Sequence, residues 1–380
     1  MTGVQADDVS PGPTGTVEPS LGPLVLPSAR TIGIVTDDAS APATASSEPT
    51  APPSLPPEPS NPSPSPSGQT PTPSPSATQW PLPSIIERAV VAPAPTFRAG
   101  AFRASAYTIA RLAWSRLPYN GLGLLSTSLT GRHEDADGIP YKIVNGVNYY
   151  NPGTIAMQGC RYIDAYVRTG NPVYLDRVER RAARLRKLSF AARGARWLAY
   201  RFNYWGEGLS APWVSALAQG GGLSFFVRLY RVTGDPADLT MARSLFLSFR
   251  TLGRASHPWA GYVDADGYLR LEEYPGPRPS HVFNGANFGF FGVYDYAMLT
   301  GDPVAIKIAR AHLTAMRHYA SRYRDPGWLS FYDLLHRTQS VHYHAVNRWQ
   351  LQMLGWMGGG SWFTGMYQVF MSDYSGGKYP

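Results

Sequence analysis

The sequence predicts a mainly α protein: an α/α toroid of helical hairpins, with short β-hairpin segments over its cleft and a disordered Pro/Ser-rich leader in front. Three observations carry that expectation. One helix–turn–helix grammar recurs three times, in "VRTGNPVYLDRVERRAARL" from Val167, "YRVTGDPADLTMARSLFLSF" from Tyr230 and "AMLTGDPVAIKIARAHLTAM" from Ala297. The segments between these helix pairs are aromatic-rich, and two of them carry turn signals. Proline is concentrated at the start, with 18 of the 35 in residues 1–80.

The leader, residues 1–80, reads "PPSLPPEPSNPSPSPSGQTPTPSPS" toward its end. Such a segment cannot bury enough apolar surface to offset its chain entropy, so an extended tether is expected. The leader holds seven acids and one base, whereas residues 81–380 hold 33 bases and 19 acids, a balance of +14. A basic body favours an anionic partner. No apolar run is long enough to span a bilayer. The first ten residues lack the basic and apolar regions of an export signal, while the tether leans toward a cell-surface or extracytoplasmic setting. Cys160 is the one cysteine, so no intrachain disulfide forms, and its helical surroundings read as a small buried hydrophobe.

The body, residues 81–380, is expected to be the catalytic toroid. Residues 81–150 are irregular in pattern, with one helix expected over "SAYTIARLAWSRL" at 105–117. In each of the three repeats a helix ends in Thr-Gly, where the glycine suits a left-handed C-cap. An Asn or Asp then caps the next helix, and a proline occupies its first position. The threonines Thr169, Thr233 and Thr300 are 64 and 67 residues apart. Stacked hairpins at this spacing point to a toroid whose inner helices line a cleft. The intervening "WLAYRFNYWGEGLSAPW", "GYVDADGYLRLEEYPG" and "WLSFYDLLHR" then sit over its mouth. Gly220, Gly221 and Gly222 read as a helix–helix contact or a backbone approach to ligand.

Several chemistries lack their motifs. There is no phosphate-binding glycine loop, no nucleophile elbow, no C-x-x-C and no nucleic-acid-binding signature. His342 and His344 have no convincing third ligand nearby, so no metal and no cofactor is expected. What remains is a tyrosine-centred set: Glu272, Glu273 and Tyr274 before a proline turn, Tyr332 and His336 in "SFYDLLH", and Tyr343 and His344 before another helix. A tyrosine buried beside arginines is expected to have a lowered pKa and to be poised for proton transfer to a weak carbon acid.

The segments "SAPWVSALAQGGGLSFFVRLY", "LEEYPGPRPSHVFNGANFGFFGVYDYAMLTGD", "FYDLLH" and "HYHAVNRWQLQML" resemble, in order and spacing, the C-terminal catalytic domain of the heparan sulfate (heparosan) D-glucuronyl C5-epimerases, from about residue 150 to 356. The resemblance implies an α/α toroid that inverts C5 of glucuronic acid within a polysaccharide, giving iduronic acid without a metal or nucleotide. It implies Tyr343 and Glu273 as proton-transfer groups on opposite faces of the sugar, with Tyr274 and Tyr332 as the remaining active-site tyrosines. His344 is placed to polarise Tyr343 and contribute to substrate binding. Asn284 and Gln219 match family positions that either touch sugar or tie backbone together. Where animal members place an arginine directly after Tyr-Asp-Leu, this chain has Leu335, so the substrate carboxylate is expected to fall to Arg337, Arg348 or Arg278. Only about 70 residues separate the leader from the matching region, too few for the β-rich region those members carry.

The expected partner is an acidic polysaccharide containing uronic acid, with no nucleic acid and with a homodimer left open. Two other readings stand beside this one. A polysaccharide lyase starts with the same C5 deprotonation and then eliminates the C4 substituent. A non-catalytic glycan-binding module would keep the aromatics and arginines without needing Tyr343.

Overall fold

In the computed structural model, residues 80–97, 101–129 and 133–379 are described. The expected leader lies outside them, apart from Trp80. Eight α-helices and three antiparallel hairpins occur among the described residues, all within one compact unit.

The helices form successive inner–outer pairs of an α/α toroid. The first pair is α1 (Pro152–Thr169) with α2 (Pro172–Leu188), and the second is α3 (Ala216–Thr233) with α4 (Pro236–Arg250). The third is α5 (Phe283–Thr300) with α6 (Pro303–Tyr319), and α7 (Val341–Leu354) and α8 (Ser361–Asp373) complete the set. The three repeated turns are built as their residues dictate. Gly170, Gly234 and Gly301 end α1, α3 and α5 at φ of 66°, 74° and 68°. Asn171, Asp235 and Asp302 cap the next helices with side-chain oxygens. Each threonine staples its turn. The hydroxyls of Thr169, Thr233 and Thr300 donate to the carbonyl four residues back, at 2.7, 2.9 and 2.7 Å, and accept from the amide two residues on.

Short hairpins enter the inner helices: β1 (Tyr141–Val144) with β2 (Val147–Tyr150) before α1, β3 (Ser189–Ala192) with β4 (Ala195–Leu198) before α3, and β5 (Gly261–Val263) with β6 (Leu269–Leu271) before α5. Residues 326–340, before α7, form a loop with one isolated bridge, Phe331 to Gln339. The inner helices begin at the same end of the molecule. The Ala216 amide donates to the Glu272 carbonyl at 2.8 Å, and the Phe283 amide to the Tyr332 carbonyl at 2.9 Å. The glycines of α3 serve helix packing. A side chain on Gly220 or on Gly292 of α5 would land on the backbone of the facing helix, so these two inner helices approach at a distance only glycine permits.

The helix expected over 105–117 is not formed. Apart from a single turn at Trp114–Arg116, the segment has no regular secondary structure. It crosses the C-terminal halves of the inner helices, and tertiary partners satisfy its backbone. The Ala110 amide donates to the Met357 carbonyl at 3.1 Å, the Tyr294 hydroxyl donates to the Ala110 carbonyl at 2.8 Å, and the Leu112 amide donates to that hydroxyl at 2.9 Å. With those groups already paired, a local helical ladder is not needed. The buried Arg228–Asp295 ion pair, 2.8 Å across α3 and α5, also binds this strap through the Pro118 carbonyl and the Asn120 side chain.

Candidate active site

Glu273 lies two residues beyond the end of β6. Its neighbour Glu272 is turned the other way and spends its carboxylate on the His281 amide and ring. The extended backbone sends the two side chains to opposite sides, so Glu273 points into the cleft at the start of α5. Its carboxylate packs on Gly285, the third residue of that helix, so closely that any side chain there would overlap it. Glu273 is 5% exposed, and its Oε2 is buried without a hydrogen-bond partner.

The tyrosines converge on this acid from three segments. The Tyr274 and Tyr332 hydroxyls are 3.1 Å apart. The Tyr343 ring lies 4.3 Å, centroid to centroid, from that of Tyr332. Tyr343 is the third residue of α7, where its amide donates to the capping Ser340 hydroxyl at 3.1 Å. Behind Tyr274 stands an aromatic wall: Tyr204 at 5.2 Å, Trp213 at 6.0 Å, and Tyr200 stacked on Trp213 at 4.0 Å.

Burial raises the Glu273 carboxyl to about 7. The nearby Tyr274 and Tyr332 hydroxyls oppose the rise, and the negative charges of Glu207 and Glu272 add to it. The expectation that cluster tyrosines are poised by a lowered pKa is corrected. Burial, then the Glu273 charge, pushes both Tyr274 and Tyr332 well above the usual phenol value. They are therefore hydrogen-bond and proton donors at neutral pH, and the group poised to accept a proton is the carboxylate.

Two further expectations are corrected, and Gln219 takes one of its two expected roles. His344 is fully buried. Its Nδ1 accepts from the Ser330 amide at 2.8 Å and its Nε2 donates to the Tyr374 carbonyl at 2.8 Å, so neither nitrogen is left for Tyr343 or for substrate. Arg348 donates to the carbonyls of Tyr374, Gly376 and Gly377, pinning the C-terminal segment. Gln219 accepts from the Leu198 amide and donates to the Arg196 carbonyl and the Ser248 hydroxyl, which makes it a tie between α3 and its neighbours. Arg337 is exposed, with its guanidinium 5.2 Å over Phe331, and Arg278 is exposed as well. Asn284 is beside the acid at the second position of α5. Its carbonyl accepts from Gln350, and its side-chain Oδ1 is buried without a partner.

Some of the surroundings left little trace in the sequence. Gly285 was visible only as the glycine after Asn284. Glu207 approaches His336 at 3.4 Å across the mouth, joining the segments that lead into α3 and α7. Lys142, on β1, is half-buried and lies within electrostatic reach of Glu273. Among the described residues no group of three His, Cys, Asp or Glu side chains is placed to hold a metal ion.

Residues 193–372 match the family model described as the D-glucuronyl C5-epimerase C-terminus. The chain is also similar to two solved structures. One is a GH76 alpha-mannanase from Bacteroides thetaiotaomicron, at 13% identity over 60% of this chain and 58% of that one, with a TM-score of 0.43. The other is a cellobiose 2-epimerase from Spirochaeta thermophila, at 14% identity over 59% of each chain, with a TM-score of 0.43. The chain spans less than two thirds of the length of either.

Proposed function

We propose, from the match of residues 193–372 to the D-glucuronyl C5-epimerase C-terminus, that this protein inverts C5 of D-glucuronic acid residues within an anionic, heparosan-like polysaccharide. The observation that carries the reading is Glu273, a buried carboxylate with a proton affinity near neutrality, facing three tyrosines from separate segments.

The C5 hydrogen lies α to the substrate carboxylate. Glu273 takes it as a proton, and the electron pair of the broken C–H bond moves into the carboxylate as an enediolate. A hydroxyl on the other ring face, assigned to Tyr343, returns a proton to C5 and completes inversion. The enzyme is left with a protonated Glu273 and a tyrosinate, and exchange with solvent resets both. The Tyr274–Tyr332 hydroxyl pair orients the carboxylate. The half-buried Tyr204, backed by Trp213, offers a stacking surface for the sugar. The basic body suits an acidic polymer.

The test is solvent deuterium incorporation, read by NMR after incubating the protein with heparosan in heavy water. Deuterium at C5 with an iduronate signal and unchanged chain length is the expected result. Chain cleavage with unsaturated ends would instead identify a lyase, and the absence of both would overturn action on this polymer.

A further inference from the structure

An enediolate carries a second negative charge at the substrate carboxylate, and a site that forms it needs a cation or donors aimed there. The position expected to supply an arginine is Leu335, which is exposed. Arg348 is consumed by the C-terminal segment, and Arg337 sits outward over Phe331. The charges of Glu207 and Glu272, by contrast, add to that of Glu273.

We propose that Lys142, on the β1–β2 hairpin outside the family-matched region, is the cation that receives the substrate carboxylate. The assignment rests on the C5-epimerase reading above. Its placement follows from strand geometry. Lys142 pairs directly with Tyr149 across the hairpin, and directly opposed residues share a face. Tyr149 packs against Phe202 at 5.7 Å, and Phe202 meets both Tyr200 and Trp213 edge-on. Trp213 in turn touches Tyr274. The Lys142 face of the hairpin is therefore the face docked on the wall of the cleft. The hairpin itself is locked by a two-residue turn, Asn145 and Gly146, both at positive φ, as its Asn-Gly sequence favours. Burial lowers the lysine's pKa, and the Glu273 charge acts in the opposite direction. A partly desolvated ammonium at this place attracts a carboxylate more strongly than a surface lysine does. In this arrangement the toroid supplies the proton chemistry and the preceding hairpin supplies the counter-charge.

The experiment compares the full chain with its Lys142→Gln, Lys142→Met and Lys142→Arg variants. Calorimetry measures binding of heparosan oligosaccharides and of the same oligosaccharides with their carboxyl groups reduced to alcohols. Deuterium exchange at C5 is followed in parallel. Loss of the charge is expected to weaken heparosan binding roughly 10- to 100-fold, with the same loss in the Met variant, which keeps the alkyl stem. Arginine should restore most of it. The carboxyl-reduced ligand should bind wild type and variants alike. Unchanged heparosan binding in the Gln and Met variants would overturn the assignment, as would an equal loss for the reduced ligand. If wild-type protein neither binds nor exchanges heparosan, the functional reading itself falls, and the lysine assignment falls with it.

Discussion

The Tyr274 and Tyr332 hydroxyls meet at 3.1 Å, although the residues are 58 positions apart in the chain. Tyr274 comes from the loop that enters α5, and Tyr332 from the loop that enters α7. Their contact is made because the inner helices start at one end of the toroid, which stacks the entering loops side by side. Both hydroxyls stay protonated, and the carboxylate of Glu273 beside them is the titrating group.

Activity should therefore follow the ionisation of Glu273. A base with a pKa of about 7 is lost as pH falls through that value, so kcat/KM should drop about tenfold for each pH unit below it. A pH–rate profile measured from 5 to 9 checks this. A profile flat down to pH 5 would remove Glu273 as the base.

The same group makes stability depend on pH, with a sign that can be worked out. Its carboxyl rises from 4.5 unfolded to about 7 folded, so the native state binds the proton more tightly. The contribution is fully present below pH 4.5 and lost as pH rises through 7, a difference of about 3 kcal/mol. Glu273→Gln should abolish C5 exchange and, at pH 8, make the protein more stable by up to that amount. Denaturant unfolding of both proteins at pH 5 and pH 8 provides the comparison, and the gain should shrink at the lower pH.

Gly285→Ala should displace the acid, because the new methyl group occupies the space of the Glu273 carboxylate. A stability loss of roughly 1–3 kcal/mol is expected from the overlap, with C5 exchange reduced far more than substrate binding. Exchange at the wild-type rate in a folded Gly285→Ala protein would show that the carboxylate position is not critical.

Tyr332→Phe and Tyr343→Phe separate orientation from proton transfer. Removing the Tyr332 hydroxyl should slow exchange roughly 10- to 1000-fold and change stability by only about 1 kcal/mol. Tyr343→Phe should abolish reprotonation from its face while leaving binding intact. Single-turnover exchange in heavy water distinguishes the two.

Arg348→Ala and His344→Ala should behave as structural variants. Arg348→Ala removes the donor to the Gly376 and Gly377 carbonyls that holds the C-terminal segment, and His344→Ala leaves the buried Ser330 amide without its partner, at a cost of about 1–3 kcal/mol. KM for the polymer should not change in the fraction that stays folded. A selective rise in KM would return these residues to the substrate.

The sequence by itself determined the local chemistry of the fold. The Thr-Gly-Asn/Asp-Pro turns, with their left-handed glycines, capping acids and amides and first-turn prolines, depend on covalent neighbours, so three hairpins and the toroid could be read from them. The identity of Glu273, Tyr274, Tyr332 and Tyr343 as a set was also available from their motifs. Tertiary structure decided what depends on distant partners. Residues 105–117 have the pattern of a helix but form only a single turn, because α5, α6 and the segment just after α7 pair their backbone. His344 and Arg348 look like site residues beside Tyr343, yet one turn of α7 aims them at the C-terminal segment. The proton affinity of Glu273 comes from its burial against Gly285 among other acids, and Lys142 feels the Glu273 charge from a hairpin that Tyr149 packs against Phe202. Burial and charge are set by residues tens of positions away, and a linear pattern does not carry that information.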